Sequence, residues 1–282
     1  MNQLSESPMG PRLDRTTDIQ YVTVNGGAPQ LQSGEIVDEA LVCFSVNGQE
    51  LATFMCTPVD LEWAALGFLY NEQIIQKLED VHHIRVSKAS TCVDIWLKDT
   101  NFSVPERVIV TSGCGGGVTF DDLSQRHAPL DSALSTTPEQ VAGLMRQMLL
   151  GAEAYKRSRG IHTAALAAGD EILLQVEDVG RHNCLDKLSG AALQQGIATR
   201  DRILLSSGRI SSEMINKARR LQTPIVCSRT SPTSLSVALA NAWNMTIVSY
   251  VRQDRMRVYT HPQRILEPDF ALASSANGES DE

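Results

Sequence analysis

The first half of the chain alternates short apolar and polar positions, a pattern typical of β-strands. Strand-like runs are YVTV, ALVCFSV, ELATFMC, HHIRVS and CVDIWLK, and Asn47-Gly48 is a hairpin signal between the second and third. One helix interrupts them, because Leu61, Phe68 and Ile75 belong to a set of apolar residues at helical spacing that Asp60 is placed to cap. The run ERVIVTS then leads into a glycine loop. We therefore predict a β-rich N-terminal domain over residues 19–117.

The second half alternates strands with helices. A helix opened by Thr137 as cap and Pro138 is followed by strand-like runs such as HTAALAA, EILLQVED, RILLSS and PIVCS, with helical runs between the later ones. This spacing predicts an α/β domain with a partly parallel sheet over residues 137–265, after a linker over residues 118–136. Residues 1–18 and 266–282 are polar and are expected to be mobile ends.

Composition and charge exclude several classes of function. The 282 residues carry 33 acidic and 25 basic side chains, a formal charge of −8, which argues against a nucleic-acid partner bound through a basic surface. No secretory signal, transit peptide or membrane span is recognisable, so we expect a cytoplasmic protein with no membrane partner. The six cysteines lack the paired spacing of a disulfide framework or a zinc ribbon.

Cys114 is the candidate nucleophile. Gly113 precedes it and three glycines follow it, so no neighbouring side chain shields the thiol, and backbone N–H groups can face an anion. An exposed thiolate in such a loop suits covalent sulfur handling. The alternative is a tight turn that happens to contain a cysteine. A Cys-based phosphatase is excluded because no arginine follows within the loop, whereas a thiol hydrolase using His162 or His182 stays open.

Polar residues gather where several strands of the second half end. The motif EDVGRHN, which contains His182, lies at a strand-to-helix turn, where open α/β folds bind ligands. Ser207, Gly208 and Arg209 lie at the next such turn and form a candidate phosphate or pyrophosphate cradle at a helix start. A third junction follows at residues 228–234. Ordinary helix capping is the alternative for each of them.

An arginine-rich segment follows over residues 249–264, with four arginines against one aspartate in an acidic protein. It is predicted to be a hairpin that meets anions, because arginine makes planar, bidentate contacts with phosphate, and Tyr250 or Tyr259 can stack on a heterocycle. A solvated hairpin face is the alternative.

These motifs, in this order, resemble the FdhD/NarQ family. The segments that carry the resemblance are DLEWAALGFLYNEQII, TSGCGGG, GIHTAAL, EDVGRHNCLDKLSG, SSGRISSEM, SRTSPTSLSVALA and VYTHPQRI, within about residues 35–265. The family implies a sulfurtransferase that takes sulfur from a cysteine desulfurase as a persulfide. The sulfur then passes to the molybdenum cofactor, in its bis-guanine-dinucleotide form, before insertion into formate dehydrogenase.

The resemblance places the persulfide on Cys114 and implies a cytidine-deaminase-like fold for the second domain. It places cofactor binding near the C-terminus, on Tyr250, Val251, Arg252, Gln253, Asp254 and Arg255. Gly117 stands where the family commonly has a second loop cysteine, so a resolving disulfide within the loop is not available. The zinc-deaminase ligand pattern is missing, and we expect no metal in the protein itself.

The mechanism expected from the sequence is transfer of sulfane sulfur by Cys114, with the cofactor's pyrophosphates on the Ser/Gly helix starts, Arg252 and Arg255. A cofactor with two nucleotide arms fits a homodimer. Two other classes stay open. A non-enzymatic chaperone would bind and protect the cofactor with Cys114 dispensable, and a thiol hydrolase or nucleotide enzyme would turn over a guanine nucleotide without a sulfur donor.

Overall fold

The computed structural model describes residues 15–105, 109–110, 118–120, 127–253 and 255–265. The described part contains four sheets and six α-helices, which confirms a mixed α and β protein. The predicted division into domains and linker stays a prediction. No α-helix among these residues is long and apolar enough to cross a membrane.

The N-terminal half contains a two-stranded ribbon and a four-stranded sheet. The antiparallel ribbon pairs β1 with β2, and β1 begins before the first strand predicted from the sequence. The larger sheet has the order β4-β3-β6-β5, in which β3 and β4 form one antiparallel hairpin, β5 and β6 form another, and β3 runs parallel to β6. The bounds are β1 Thr16–Thr23, β2 Gln30–Val37, β3 Ala40–Val46, β4 Gln49–Cys56, β5 Val81–Val86 and β6 Cys92–Leu97.

Helix α1, Leu61–Asn71, covers one face of this four-stranded sheet. Alternate strand residues such as Val42, Phe44 and Ile95 are buried against it, as the period of a half-buried strand requires. Asp60 occupies the N-cap position of α1, as predicted, but its side chain makes no capping hydrogen bond. Its backbone is left-handed, with φ 56°, and its side chain pairs with Arg15. A short pair of strands, β7 Ile109–Val110 and β8 Val118–Thr119, follows in sequence.

The C-terminal half is built on one six-stranded sheet with the order β10-β9-β11-β12-β13-β14. The neighbours β11, β12 and β13 are parallel and the other pairs are antiparallel, so the predicted partly parallel sheet is confirmed. The bounds are β9 His162–Ala168, β10 Glu171–Asp178, β11 Ile203–Ser206, β12 Ile225–Ser228, β13 Thr246–Ser249 and β14 Arg257–Val258.

Helices cover both faces of this sheet. Helix α2, Pro138–Gly151, packs on one face, while α4, Arg181–Gln195, α5, Ser212–Arg220, and α6, Ser234–Ala242, pack on the other. Thr137 caps α2 as predicted, since its Oγ1 accepts a hydrogen bond from Gln140 N at 3.2 Å. The short helix α3, Glu153–Ser158, connects α2 to β9.

The two halves are joined where α1 crosses α4. A Cβ atom on Gly67 of α1 would lie 1.7 Å from the carbonyl oxygen of Asp186, and one on Gly190 of α4 would lie 1.9 Å from the carbonyl oxygen of Trp63. Backbone therefore contacts backbone at both glycines, and no larger residue fits without moving a helix.

Candidate functional site

Three loops meet at one edge of the C-terminal sheet. Because β11, β12 and β13 are parallel, the loops that follow them start at the same edge, which is the edge where open α/β folds bind ligands. These loops contain Ser207, Arg229 and Tyr250. Hydrogen bonds tie them together: Ser228 Oγ donates to the Gly208 carbonyl oxygen at 2.6 Å, and Val251 N donates to the Ser228 carbonyl oxygen at 3.0 Å.

A cavity opens between these loops and α2. Its volume is about 730 Å³, within the usual range for small-ligand sites. The described residues around it include five arginines and no acid. They are Ala142, Met145, Arg146, Leu149, Arg229, Tyr250, Val251, Arg252, Gln253, Arg255, Met256 and Arg257.

A second cavity of about 390 Å³ shares Leu149, Arg229 and Arg252 with the first, so the two are neighbouring lobes of one groove. Its other walls come from α3, from the segment between α3 and β9, from the start of β9, and from the loops after β11 and β12. Those walls are Tyr155, Arg159, Gly160, Ile161, His162, Thr163, Ser207 and Thr230. We call the two lobes together the arginine cleft.

The segment between β13 and β14 forms the predicted hairpin and supplies much of the first lobe. Val248 pairs with Val258, and Arg252 N donates to the Arg255 carbonyl oxygen at 2.8 Å, which closes the turn. The Arg257 guanidinium lies 4.5 Å from the centre of the Tyr250 ring, so this tyrosine face is already stacked on a cation.

Arg264 is the fourth arginine of this segment, and it does not reach the cleft. Its side chain is buried, and its guanidinium donates to Thr246 Oγ1 at 3.4 Å and to the Ser132 carbonyl oxygen at 3.3 Å. The side of this segment that faces the cleft therefore does not include Arg264.

Ser207 and His162 form one wall of the second lobe. Ser207 Oγ accepts from Thr163 N at 2.9 Å and lies 3.2 Å from His162 Nδ1. Burial, reinforced by the charge of Arg181, lowers the pKa of His162, which favours a neutral ring at neutral pH. Gly208 is buried beside this wall, where a Cβ would come within 2.8 Å of Arg181 Cβ.

His182 and Arg209 lie outside the residues that line the cleft. His182 is buried, its Nε2 lies 3.1 Å from Ser211 Oγ, and its Nδ1 lies 3.2 Å from Glu213 Oε2. Burial lowers the pKa of His182 to about 4, despite the attraction of Glu213. The ring is therefore neutral and holds the start of α5 in place, while the Arg209 side chain is exposed to solvent.

The acids of EDVGRHN support the fold. Asp178 is fully buried and pairs with Lys187 Nζ at 2.6 Å; it also accepts hydrogen bonds from Thr57 N at 3.1 Å and Asn183 Nδ2 at 2.9 Å. The Glu177 carboxylate accepts hydrogen bonds from the backbone N–H groups of Ala154 and Tyr155 in the first turn of α3. Asp178 and Lys187 thus join the C-terminal sheet and α4 to the end of β4 in the N-terminal half.

Cys114 and Asp254 lie outside the described residues. The described segment nearest to Cys114 on its C-terminal side, residues 118–120, is held by a buried carboxylate. Glu72 Oε2 accepts hydrogen bonds from Thr119 Oγ1 at 3.0 Å and from Phe120 N at 2.6 Å. Burial raises the pKa of Glu72 to about 7, although Lys217 and these two hydrogen bonds act in the opposite direction.

Three of the described cysteines are fully enclosed. Burial raises the pKa of Cys56 and of Cys227 to about 12 and also raises the pKa of Cys184. None of these three is a reachable thiolate at neutral pH. The described residues also contain no cluster of His, Cys, Asp and Glu arranged to hold a metal ion.

The structure thus brings most of the predicted cofactor residues to one place. Tyr250, Val251, Arg252, Gln253 and Arg255 line the first lobe, and Ser207 lines the second. Sequence reasoning missed Arg146 and Arg159. The signal for Arg146 was available, since Ala142, Met145, Arg146 and Leu149 follow the spacing of one helical face.

Comparisons with known proteins agree with the resemblance seen in the sequence. The model of the FdhD/NarQ family matches residues 37–266. A sulfur carrier protein FdhD from Staphylococcus aureus (strain MRSA252) is 33% identical over 241 residues, which cover 83% of this chain and 91% of the relative. A sulfur carrier protein FdhD from Staphylococcus haemolyticus (strain JCSC1435) is 34% identical over 235 residues, covering 81% of this chain and 89% of the relative.

A solved structure extends the similarity to the fold. The crystal structure of a candidate formate dehydrogenase accessory protein from Desulfotalea psychrophila superposes with a TM-score of 0.75 at 26% sequence identity. The match covers 90% of this chain and all of the other chain.

Proposed function

Because the chain belongs to the FdhD/NarQ family, we propose that it is a sulfur carrier that serves the maturation of a formate dehydrogenase. Cys114 accepts sulfur as a persulfide from a cysteine desulfurase, and the molybdenum cofactor, as the bis-guanine-dinucleotide, receives it in the arginine cleft. The observation that carries the cofactor part of the proposal is this cleft, with its five arginines and no described acid in the first lobe.

The cleft suits a nucleotide because of its charge. The whole chain has a formal charge of −8, yet the described lining of both lobes contains arginine as its charged residue type. Arg229 and Arg252 border both lobes, so an anion between them would meet two guanidinium groups. A dinucleotide with its pyrophosphate at this junction could extend one ring system into each lobe.

The sulfur step balances without an outside oxidant. The Cys114 thiolate attacks the terminal sulfur of the donor's persulfide, the donor's S–S bond breaks, and the donor leaves as a thiolate. The product is the Cys114 persulfide. Its terminal sulfur then passes as a neutral atom to the cofactor in its reduced state, which supplies the electron pair of the new bond, and the Cys114 thiolate is regenerated.

Several finer features belong to the same proposal. The three-layer C-terminal half, with helices on both faces of a mixed sheet, supports a cytidine-deaminase-like fold that binds its ligand without deaminase chemistry. A homodimer would let each subunit hold one guanine nucleotide arm. We place this maturation step in the cytoplasm, where the cofactor, the desulfurase and the formate dehydrogenase subunit would meet.

Intact-mass spectrometry tests the carrier step. The protein is incubated with a cysteine desulfurase and cysteine, and the wild type is compared with Cys114→Ser and with Cys92→Ser as a control at another incompletely buried cysteine. We expect one added sulfur mass in the wild type and in Cys92→Ser, and none in Cys114→Ser. An equal gain in Cys114→Ser would refute the assignment of the carrier cysteine.

Calorimetric titration with guanosine diphosphate tests the cleft. Arg252→Ala removes a guanidinium that borders both lobes, and charge-assisted hydrogen bonds contribute about 1.5–3 kcal/mol, so affinity should fall by roughly ten- to a hundredfold. Arg85→Ala is the matched control, because Arg85 lies on β5 in the N-terminal sheet and pairs with Asp94. Equal affinities of the two variants would place the nucleotide elsewhere.

A cofactor-binding chaperone is the second candidate function. It is favoured by one observation, that the described lining of the cleft includes no cysteine. Under this hypothesis Cys114→Ser still supports an active formate dehydrogenase in cells, whereas a carrier predicts its loss. Nucleotide affinity in the same variant distinguishes a lost carrier thiol from a lost binding site.

A further inference from the structure

Two cysteines lie side by side in the N-terminal sheet. Cys43 is on β3 and Cys92 is the first residue of β6, and the two are register partners in the parallel pairing of these strands. This pairing joins the β3–β4 hairpin to the β5–β6 hairpin. Both cysteines are only partly buried, unlike Cys56, Cys184 and Cys227.

Both side chains point to the sheet face opposite α1. Their neighbours Val42, Phe44 and Val93 are buried in the core beneath α1, and successive strand residues point to opposite faces. The next alternate pair along the two strands shows that side chains meet across this seam, because Ser45 Oγ donates to Asp94 Oδ1 at 2.7 Å.

The backbone spacing matches what a disulfide needs. Adjacent strands lie about 4.7–4.9 Å apart, and disulfides usually join Cα atoms about 4.4–6.8 Å apart. Register partners on neighbouring strands therefore fall within bonding range without a change of fold.

The Cys43 thiol also holds its proton tightly. Burial is the largest cause, and together with a hydrogen bond to Cys92 and the charge of Cys92 it raises the pKa of Cys43 to about 12. Glu50 and Asp94 act in the same direction. Cys43 thus keeps its proton at neutral pH, so the first attack on an oxidant falls to Cys92.

We propose that Cys43 and Cys92 form a redox-sensitive dithiol that peroxide closes into a disulfide across the β3–β6 seam. The Cys92 thiolate attacks one peroxide oxygen, forming a sulfenic acid and releasing one molecule of water after protonation. The Cys43 sulfur then attacks the sulfenic sulfur, the S–S bond forms, and the second oxygen leaves as water. The two thiols lose two electrons and the peroxide gains them.

The disulfide would connect the two hairpins of the sheet covalently. The loop it closes, residues 43–92, contains all of β4, α1 and β5. A cross-link over such a long loop removes conformational freedom from the unfolded chain, so the oxidised protein should unfold at a higher temperature than the reduced one. This site does not depend on the proposed sulfur carrier function.

The test uses the full chain with Cys114→Ser, which removes the candidate carrier thiol. The protein is treated with hydrogen peroxide, free thiols are blocked with iodoacetamide, and the sample is digested without reductant for mass spectrometry. We expect a peptide pair linked through Cys43 and Cys92 that disappears after dithiothreitol, and the loss of two alkylatable thiols.

Adding Cys43→Ser or Cys92→Ser to the same chain is the matched control. Because serine leaves the partner without a second sulfur, neither control should yield the linked peptides, and Cys43→Ser should stop at a sulfenic acid that dimedone traps. Unchanged alkylation of both cysteines after peroxide treatment would overturn the proposal. So would a disulfide that forms only in denaturing urea, because it would show that the folded register keeps the two sulfurs apart.

Discussion

Replacing Glu72 by glutamine is expected to change how the stability of the fold depends on pH. The Glu72 carboxylate is buried at the end of α1 and holds Thr119 and Phe120 by hydrogen bonds. Burial raises its pKa from the usual 4.5 to about 7, and the charged groups that act on it are Lys217, which lowers the pKa, and Asp186, which raises it.

The direction in which stability changes with pH follows from the number of protons that the folded and unfolded chains bind. Between pH 4.5 and about pH 7 the unfolded chain has lost the Glu72 proton while the folded chain keeps it, so stability falls as pH rises through this interval. At about 1.36 kcal/mol for each pH unit, the full effect is about 3 kcal/mol. Glutamine keeps an oxygen that accepts from both donors but does not titrate.

The expected result is therefore a difference that grows with pH. The unfolding free energy of Glu72→Gln, minus that of the wild type, should increase by ~2–3 kcal/mol from about pH 5 to about pH 8. Urea unfolding followed by circular dichroism at several pH values measures it. Because other titrating groups are common to both proteins, they largely cancel in the difference.

The control is Glu79→Gln, which neutralises an exposed glutamate in the short turn Leu78–Asp80. If the unfolding free energies of Glu72→Gln and the wild type change with pH in the same way between about pH 5 and pH 8, Glu72 is ionised in the folded protein and the reasoning from burial fails.

Two further substitutions test the junction between the halves. Gly67→Ala should lower the unfolding free energy by at least ~3 kcal/mol in urea titrations, because its Cβ would lie 1.7 Å from the Asp186 carbonyl oxygen. An unfolding free energy equal to that of the wild type would show that α1 and α4 can move apart to make room for a methyl group. Lys187→Met should lower the unfolding free energy by about 3–5 kcal/mol, because it leaves the Asp178 carboxylate buried without its cation. Adding Asp178→Asn should restore part of this loss. A thermal unfolding temperature that stays unchanged in Lys187→Met would contradict the prediction.

Local patterns in the sequence predicted most of the secondary structure. The Thr137 cap, the Asn47-Gly48 hairpin turn and the arginine-rich hairpin each depend on residues close together in the chain, and the structure has all three. The α1 boundary was less accurate. Its predicted run extends to Ile75, but the helix ends at Asn71, and Gln73 takes a left-handed conformation with φ 61°.

Contacts between distant parts of the chain could not be read from the sequence. Asp178 and Asn183 looked like candidate ligand-binding or capping residues, but their partners include the backbone of Thr57 and Met55 in the other half. The parallel pairing of β3 with β6 was equally hidden, since hairpin signals fix only neighbouring strands.

The arginine cleft contains residues that the sequence predicted and residues that only the fold brings in. Arg252 and Arg255 were predicted because they cluster in one segment, whereas Arg159 lies just after α3 and reaches the second lobe only through the fold. The assignment of sulfur to Cys114 and of the nucleotide to this cleft stays a prediction.

The crossing of α1 and α4 affects how the chain folds as it is synthesised. Helix α1 leaves the ribosome long before α4. Until α4 has also emerged, Gly67 and Asn71 have no helix to pack against. Asn71 Nδ2 donates to Asp186 Oδ1 at 2.7 Å only in the finished fold. During synthesis the face of α1 that packs against α4 therefore stays without its partner until residues 181–195 emerge.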